Sequence, residues 1–189
     1  FARGMHLPCS LEDLMNIIQE PSKFRSINIG VTSSGDTKKY FAVSSGIGFD
    51  AAVCYESYSS SLKKTLNKLH LGKLIYLINA LRMLFSMETL SIRLLTDDNQ
   101  LMTFSGVYFV TAMNTRYEGG GFMFCPKASP VDDFLDLIVA EGIPRLKILL
   151  VLPTAFFGKH TNFRGVHIYR CRRAVIQSET AACVHIDGE

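Results

Sequence analysis

Apolar and polar residues alternate along much of this chain, and the alternation predicts short strands. From residue 88 onward, LSIRLLT and LMTFSGVYFVTAM flank DDNQ, a turn of the kind that joins two hairpin strands. FLDLIVAEG, GVHIYRCRRAVIQSE and ACVHIDG predict further strands. Nearer the start, RSINIGVTSSG and KYFAVSSGIGFDA alternate at period two around a Ser-Gly-Asp turn, so they predict a β-hairpin.

Three other segments show the apolar repeat of helices. In SLEDLMNIIQE, Ser10 is the predicted N-cap, Asp13 follows three residues later, and Pro21 ends the helix. Residues 50–87 form a second helical region, and RLKILLVLPTAFF predicts a third helix. The approach to the second half of region 50–87 is basic, with Lys63, Lys64, Lys68 and Lys73.

Strands from both ends of the chain with helices between them predict an α+β fold, mainly an antiparallel β-sandwich with inserted helices. No apolar stretch is long enough for a membrane-spanning helix. The longest, 74–85 and 148–157, are interrupted by Asn79 and Arg82 and by Pro153. Both are therefore predicted to be buried helices.

The composition fits one globular domain, or one domain and part of another. The chain has 189 residues, 48% of them hydrophobic, and a net charge of +3, which supplies ample material for a core. Five cysteines without a CxxC pair favour a reducing cytosol over a disulfide framework or a zinc site. The first residues, FARGMHLPCS, lack the pattern of a signal peptide and an initiator Met, so we expect the chain to begin inside a longer protein.

One loop combines glycine with carboxylates. The segment NTRYEGGGFMFCPKASPVDDFLDL holds Asn114, three consecutive glycines and the acids Asp132, Asp133 and Asp136 between two strands. It is either a surface loop with turn-forming acids or a divalent-cation site. In the second interpretation, carboxylate and carbonyl oxygens suit magnesium, and glycine lets the backbone approach closely.

Other motifs are weaker. SSGIGFDA is rich in glycine but lacks the spacing of a dinucleotide fingerprint.

Lys159 and His160 follow an apolar helix and are interpreted either as a basic C-cap or as site residues. His167 and His185 lie in predicted strands and are expected to be structural. A basic cluster near the end of the chain comprises Arg170, Arg172 and Arg173. It is predicted to be a solvated strand face; the alternative is that it contacts lipid headgroups or phosphates.

The order of the motifs is more specific than any one of them. FARGMHLP, SSGIGFDA, the acidic glycine loop, GKH and HIDGE occur in this order and spacing over essentially the whole chain. In this the chain resembles the bacterial diacylglycerol kinase-like lipid kinases, a family that includes sphingosine kinases and is distantly related to NAD kinases. The glycine loop with its acidic turn and the terminal DGE are the most specific features.

The resemblance implies the second domain of a two-domain lipid kinase. In the family, an N-terminal α/β domain carries a GGDGT nucleotide-binding motif and ends in a GTGNDFAR-like segment, whose tail is similar to Phe1, Ala2 and Arg3. We therefore expect residues 1–189 to be the C-terminal β-sandwich domain, with Phe1–Pro21 as a helical lead-in. The N-terminal ATP-binding domain is then absent from the chain.

The resemblance also implies a magnesium site. Asp133 is similar to the carboxylate of the family's structural Mg²⁺ site, with the backbone carbonyls of Pro130 and Leu135 as companions and Asp132 nearby. Family members usually have glycine at the position of Phe134. A requirement for positive φ at that position would strain this site.

At the end of the chain, Asp187 and Glu189 are similar to the acids of the family's reaction centre. Phosphorylating a lipid hydroxyl needs a group that accepts its proton and a metal that neutralises the phosphates. We expect Glu189 to be the base and Asp187 to be a metal-linked or positioning acid.

The activity implied is in-line transfer of the ATP γ-phosphoryl group to a lipid hydroxyl, converting diacylglycerol to phosphatidic acid with Mg²⁺. Alternatives are another hydroxyl substrate (phosphatidylglycerol, a sphingoid base or a nucleotide) or a non-catalytic lipid-binding module. The expected protein is cytoplasmic, contacts the inner face of the membrane peripherally and binds its lipid in an apolar groove. We expect no nucleic-acid partner, leave a homodimer open, and expect residues 1–189 alone to be inactive.

Overall fold

The secondary structure follows the alternation of the sequence closely. The computed structural model describes residues 1–8, 10–59 and 72–189. The helices are α1 (Leu11–Ile18), α2 (Phe49–Ser59), α3 (Gly72–Ser86) and α4 (Arg145–Val151). The strands are β1 (Gly30–Ser34), β2 (Thr37–Phe41), β3 (Ser44–Gly48), β4 (Leu90–Thr96), β5 (Leu101–Met113), β6 (Leu135–Glu141), β7 (Val166–Cys171), β8 (Ala174–Ser178) and β9 (Val184–Ile186). Short 3₁₀ helices cover Pro21–Lys23, Gly119–Gly121, Leu152–Phe157 and Lys159–Asn162.

The predicted first helix and helical region both occur. Ser10 caps α1, because its hydroxyl accepts a hydrogen bond from the Asp13 amide at 3.1 Å. Helices α2 and α3 occupy the two ends of the region predicted at 50–87. Lys63, Lys64 and Lys68 lie outside the described residues, as does Cys9, and of Lys73 only the backbone is described.

The predicted early hairpin is only half right. Strands β1 and β2 pair in register around Gly35 and form a separate two-stranded sheet. KYFAVSSGIGFDA was predicted as one strand, but it is two, since β3 leaves the hairpin after Phe41 and pairs with β5 and β9. The chain therefore crosses from the small sheet to the large one at residues 42–43.

Strand β5 is the centre of the large sheet. Its first half pairs with β4, and its second half lies between β3 and β6. Val107 has partners on both sides, Leu90 of β4 and Glu141 of β6, so β4 and β3 follow each other along the same edge of β5. Strand β8 pairs with β4, and β7 with β6. Every pairing among the described strands is antiparallel, as expected from the sequence.

The sandwich core lies between the β4–β8 layer and the β6–β7 layer. Alternate residues of the two layers meet there, because successive side chains of a strand point to opposite faces. Ile92 and Leu94 of β4 share one buried cluster with Leu137 and Val139 of β6. The fold class predicted from the alternation is confirmed.

Helices cover the other face of the β6 region. Ile138 and Ala140, which alternate with the sandwich residues of β6, pack beneath the segment from α4 to the following 3₁₀ helix. That segment was predicted as one helix; it is α-helical only to Val151, because Pro153 has no N–H to continue the pattern. Within the described part of the chain, no helix is both long and apolar enough to cross a membrane.

Candidate active site

The turn after β9 is clamped to the point where the chain changes sheets. The Asp187 carboxylate accepts hydrogen bonds from the amides of Ala42 at 2.9 Å, Val43 at 2.8 Å and Ser44 at 3.0 Å. The Asp187 amide in turn donates to the Ser44 carbonyl at 2.9 Å. Both carboxylate oxygens are used, so Asp187 fixes the terminal turn against the start of β3.

Glu189 sits on the same turn but is bound differently. Its backbone exchanges two hydrogen bonds with Ile186, at 2.9 and 3.0 Å, which close the turn. Its side chain is exposed and has no hydrogen-bond partner among the described residues. The two acids of the DGE motif therefore differ in kind: Asp187 is held by the backbone, whereas the Glu189 carboxylate is free to meet another molecule.

A buried polar cluster lies directly beneath this turn. His185 Nε2 lies 3.0 Å from Asp50 Oδ2, and the Thr111 hydroxyl donates a short hydrogen bond to the same oxygen. Asp50 is in the first turn of α2, Thr111 is on β5 and His185 is on β9. The side chain of His185 is only 2% exposed and that of Asp50 12%. Two strands thus direct polar groups to the one carboxylate of α2.

Gly46 makes room for this cluster. In the sheet register it lies opposite Thr111 on one side and opposite His185 on the other. A Cβ atom there would lie 2.5 Å from Thr111 Oγ1, 2.6 Å from His185 Nε2 and 2.7 Å from Asp50 Oδ2. Real Cβ atoms do not approach so closely, so the glycine of SSGIGFDA is required by packing against polar side chains.

The charge around His185 favours its protonated form. Burial alone lowers the pKa of His185, but the hydrogen bond to Asp50 and the charges of Asp50, Glu118 and Asp187 together outweigh it, so the pKa is raised. The Gly188 amide lies 3.3 Å from Nδ1, which can accept from it only while His185 is neutral. In the neutral form, Nε2–H donates to Asp50 while Nδ1 accepts from Gly188, which ties the terminal turn to α2.

A third carboxylate, Glu118, borders the cluster. Burial is the largest effect on Glu118 and raises its pKa, against the nearby Ser44 hydroxyl and the positive charge of His185. One of its oxygens accepts from the Gly119 amide at 3.2 Å. The other oxygen and the Ser44 hydroxyl are both buried and lack hydrogen-bond geometry to any described residue.

The predicted magnesium loop is organised by Asn28. Its amide group donates to Asp133 Oδ1 at 2.6 Å, and its side-chain oxygen accepts from the Asp133 amide at 3.3 Å. The backbone N–H of Asn28 donates to the Pro130 carbonyl at 2.6 Å. Asn114 donates to the carbonyls of Asn28 and Ala42, both at 2.9 Å. Two predicted ligands, Pro130 and Asp133, are therefore brought together on one residue.

The donors of this loop fit Mg²⁺ in type. They are hard oxygens, one carboxylate and neighbouring carbonyls, and Leu135 follows at the start of β6. The described residues contain no cluster of three or more His, Cys, Asp or Glu side chains that could hold a metal. Magnesium bound at Asp133 would therefore keep several waters, as this ion usually does.

The expected strain at Phe134 is not found. The left-handed residue is Asp133, with φ of 62°, and Phe134 has no positive φ. The Phe134 ring instead packs under the Arg170 and Arg172 guanidinium groups, whose central carbons are 4.6 and 4.9 Å from the ring centre. The predicted strain at Phe134 is therefore absent, because the residue with positive φ is Asp133, one position earlier.

Asp132 is held apart from the metal loop by its own partners. Its carboxylate accepts from the Phe134 amide at 3.1 Å and pairs with Arg170 at 2.8 Å. The Arg170 side chain, predicted as a solvated face, thus also has a structural role. Asp136 is buried within β6, where burial raises its pKa.

An apolar cavity of about 80 Å³ lies between the sheet and the helices that cover it. Its walls include Leu84 of α3, Phe109 of β5 and Ile148 of α4, and Asp50 and His160 also line it. His160 is 4% exposed, and its Nε2 lies 3.0 Å from the Phe124 carbonyl. The interpretation of His160 as a helix C-cap was wrong, because Gly158 ends the helix in a left-handed conformation.

Sequence reasoning found the DGE turn and the acidic loop but missed the Asp50 cluster. Both segments that contain it, SSGIGFDA and VHIDGE, were noted, but His185 was interpreted as structural and Asp50 was not singled out. A usable signal was present: a carboxylate at the first turn of a helix, directly after a glycine-containing strand. The partners could not be known without the register of β3 between β5 and β9.

The fold and the site together define an antiparallel β-sandwich domain with a carboxylate cluster at one end of its central strands. Residues 42–189 match the family described as the YegS C-terminal NAD kinase beta sandwich-like domain, and the chain belongs to that family. The resemblance that the motifs predicted is confirmed.

Two curated relatives and one solved structure agree with this assignment. The Bacillus subtilis (strain 168) protein "Putative lipid kinase YtlR" is 28% identical over 197 residues, covering 100% of this chain and 62% of the relative. A Mycobacterium tuberculosis (strain CDC 1551 / Oshkosh) protein named diacylglycerol kinase is 27% identical over 165 residues, covering 87% of this chain and 50% of the relative. A crystal structure of a diacylglycerol kinase from Bacillus anthracis str. Sterne shares the fold at a TM-score of 0.64 and 17% identity, covering 99% of this chain and 55% of that one.

Proposed function

We propose that this chain is the lipid-acceptor and acid-bearing domain of an ATP-dependent lipid kinase that converts diacylglycerol to phosphatidic acid. The observation that carries the proposal is the DGE turn, in which a clamped Asp187 holds an exposed Glu189 above the buried Asp50–His185 pair. The names of the curated relatives support the reaction class. Because the chain spans 62% and 50% of those relatives, the activity is proposed for the whole protein.

In the proposed reaction, the lipid hydroxyl oxygen attacks the γ-phosphorus of ATP in line with the departing ADP oxygen. The bond to ADP breaks as the new P–O bond forms, and Glu189 takes the hydroxyl proton. The free side chain of Glu189 supports this role, because its carboxylate has no competing hydrogen bond among the described residues. Asp187 acts as the positioning acid, since its carboxylate is already bound by three amides.

The apolar cavity supports a lipid acceptor. Its lining is mainly apolar, with Tyr108, Asp50 and His160 as the residues that carry polar groups. Its volume of about 80 Å³ suits the end of an acyl chain and not a whole lipid. Asp50 belongs both to this lining and to the cluster under the terminal turn. The cavity therefore lies next to the carboxylate cluster of the proposed site.

Magnesium is proposed at Asp133, with the carbonyls of Pro130 and Leu135. When bound, the ion would supply positive charge that holds the loop oxygens together. Asn28 holds two of these groups in place through its hydrogen bonds to Asp133 and Pro130. A catalytic magnesium beside the ATP phosphates is part of the same proposal for the whole protein.

A lipid acceptor implies a protein that reaches a membrane from the cytoplasm without crossing it. For a non-catalytic lipid-binding module, the exposed carboxylate of Glu189 would have no chemical role. Another hydroxyl acceptor, such as phosphatidylglycerol, a sphingoid base or a nucleotide, would use the same acids and differ in what fills the cavity.

The test is transfer of radiolabel from ATP to extracted bacterial lipids by the full-length protein with magnesium. Glu189→Gln is compared with Glu179→Gln, an exposed glutamate next to β8. We expect labelled phosphatidic acid from the wild type and from Glu179→Gln, and none from Glu189→Gln. Label in a different product would show that the acceptor is another hydroxyl compound and not diacylglycerol. Full transfer by Glu189→Gln would show that Glu189 is not the base.

A further inference from the structure

Helix α4 is apolar on both of its faces. On the inner side, Ile148 and Val151 line the cavity. On the outer side, Leu146 and Leu150 are 70% and 74% exposed, and their spacing of four residues places them side by side. Two exposed leucines side by side on a short helix leave apolar area in water that contact with another surface would remove. The outer side therefore has the composition of a contact surface.

The exposed apolar character continues after the helix. Phe157 is 75% exposed at the end of the following 3₁₀ helix. The neighbouring Phe156 is 41% exposed and stacks on Phe122 with ring centres 4.3 Å apart, which fixes the local backbone beneath Phe157. We call Leu146, Leu150 and Phe157 the outer apolar face.

The segment that carries this face has charges of one sign. From Gly142 to Ser178 the sequence contains no Asp or Glu. Lys147, Lys159 and Arg164 are exposed within this segment, and none forms an ion pair with any residue that the structure describes. Exposed leucine and phenylalanine flanked by unpaired cations match a surface of anionic lipid, which offers both an apolar layer and negative headgroups.

Helix α4 begins at the end of β5 that lies away from the terminal turn. Strand β6 runs from the Met113 end of β5 to its Val107 end, so α4 begins at the Val107 end, where the Gly142 amide bonds to the Gly106 carbonyl at 3.0 Å. Both ends of the chain lie at the opposite end of β5. Arg3 lies against Gly121, and Asp187 is bound to Ser44, the register partner of Met113.

We infer that the outer apolar face docks on a bilayer that contains anionic phospholipid. Leu146, Leu150 and Phe157 enter the boundary between headgroups and acyl chains, while Lys147 and Lys159 contact the headgroups. This inference rests on the proposed function in so far as a lipid acceptor must be drawn from a membrane. It adds which surface meets the bilayer, and α4 then lies with one face in lipid and the other on the cavity.

The test is sedimentation of the full-length protein with vesicles of phosphatidylcholine alone or mixed with phosphatidylglycerol. We expect the double variant Leu146→Ser/Leu150→Ser to bind mixed vesicles more than about tenfold more weakly, because two exposed leucines no longer enter the bilayer. Leu101→Ser is the matched control, since Leu101 is 65% exposed at the start of β5. Lys147→Gln should weaken binding to mixed vesicles roughly fivefold and leave binding to phosphatidylcholine alone unchanged, with Lys39→Gln as its control.

Equal binding of mixed vesicles by the wild type and the double leucine variant would overturn the inference. A wild-type dimer that the double variant converts to a monomer, with vesicle binding unchanged, would assign the face to a second copy and also overturn it. Phosphorylation of a short-chain diacylglycerol dispersed in solution does not need membrane docking. Measuring it therefore distinguishes failure of this inference from failure of the proposed function. We expect the double variant to retain that turnover; a wild type that binds vesicles but phosphorylates no lipid would contradict only the proposed function.

Discussion

His185 Nε2 lies 3.0 Å from Asp50 Oδ2, although 135 residues separate the two along the chain. The contact joins the strand that precedes the DGE turn to the first turn of α2. Since Gly188 also donates to the other nitrogen of His185, one imidazole links the buried carboxylate to the terminal turn. The stability of the site and its geometry therefore depend on the same few atoms.

Gly46→Ala is expected to disrupt this contact. The new methyl group would lie within 2.7 Å of three polar atoms, those of Thr111, His185 and Asp50. We expect the free energy of unfolding to fall by about 1–3 kcal/mol, measured by urea denaturation. Gly119→Ala is the control, because a Cβ there meets nothing within 4 Å. Equal stability of the two variants would contradict the crowding of Gly46.

The charge on His185 predicts a pH dependence of stability. Because its pKa is raised in the folded state above the ordinary value of 6.5, the stabilisation from its protonation is fully present below 6.5. It is lost as the pH rises through the folded-state pKa. We expect the difference in unfolding free energy between wild type and His185→Asn to shrink from roughly pH 6 to pH 8. Exposed His6→Asn serves as the control, and a difference that grows over this range would reverse the assigned sign.

Substitutions of Asp187 and Glu189 should have different effects when stability and turnover are both measured. Asp187→Asn leaves at least one of three backbone amides without an acceptor, so we expect a loss of about 1–3 kcal/mol in unfolding free energy along with turnover. Glu189→Gln removes no hydrogen bond of the described residues, so we expect an unchanged Tm with turnover lost. Thermal unfolding beside the lipid kinase assay distinguishes the two. A normal Tm for Asp187→Asn would contradict the clamp.

Magnesium should stabilise the protein through Asp133. We expect the Tm of the wild type to rise with added Mg²⁺, and Asp133→Asn to abolish most of that rise, because the one carboxylate of the proposed site is lost. Asp132→Asn breaks the ion pair with Arg170 but keeps the loop carboxylate, so its Mg²⁺ response should persist. If both variants respond like the wild type, the ion does not bind at this loop.

Much of the fold could be predicted because its causes are local. The alternation of β4, β5 and β6 is visible in the sequence, and the turn between β4 and β5 lies where DDNQ predicts it. The Ser10 cap depends only on Asp13, three residues away. In each case the residues that decide the structure are neighbours in the chain.

The remaining features of the fold and site could not be predicted, because they depend on contacts between residues that are far apart in the chain. The break between β2 and β3 coincides with amides that bind Asp187, whose contact with Ala42 spans 145 residues. The Asp50 cluster depends on Gly46 lying between Thr111 and His185, a matter of register between three strands. At the metal loop, motif comparison pointed to the wrong residue for positive φ, because Asp133 tolerates the left-handed conformation that Phe134 would not.

The clamp between Asp187 and residues 42–44 also sets an order of events during synthesis. Strands β1 and β2 can pair as soon as they emerge, but the crossing into the large sheet cannot acquire its carboxylate until Asp187 has been made. Contacts of such long sequence separation carry a loop-closure cost that slows folding. The same contacts join the switch between sheets to the turn that bears Glu189, so a nascent chain that still lacks β9 and this turn does not yet present the site.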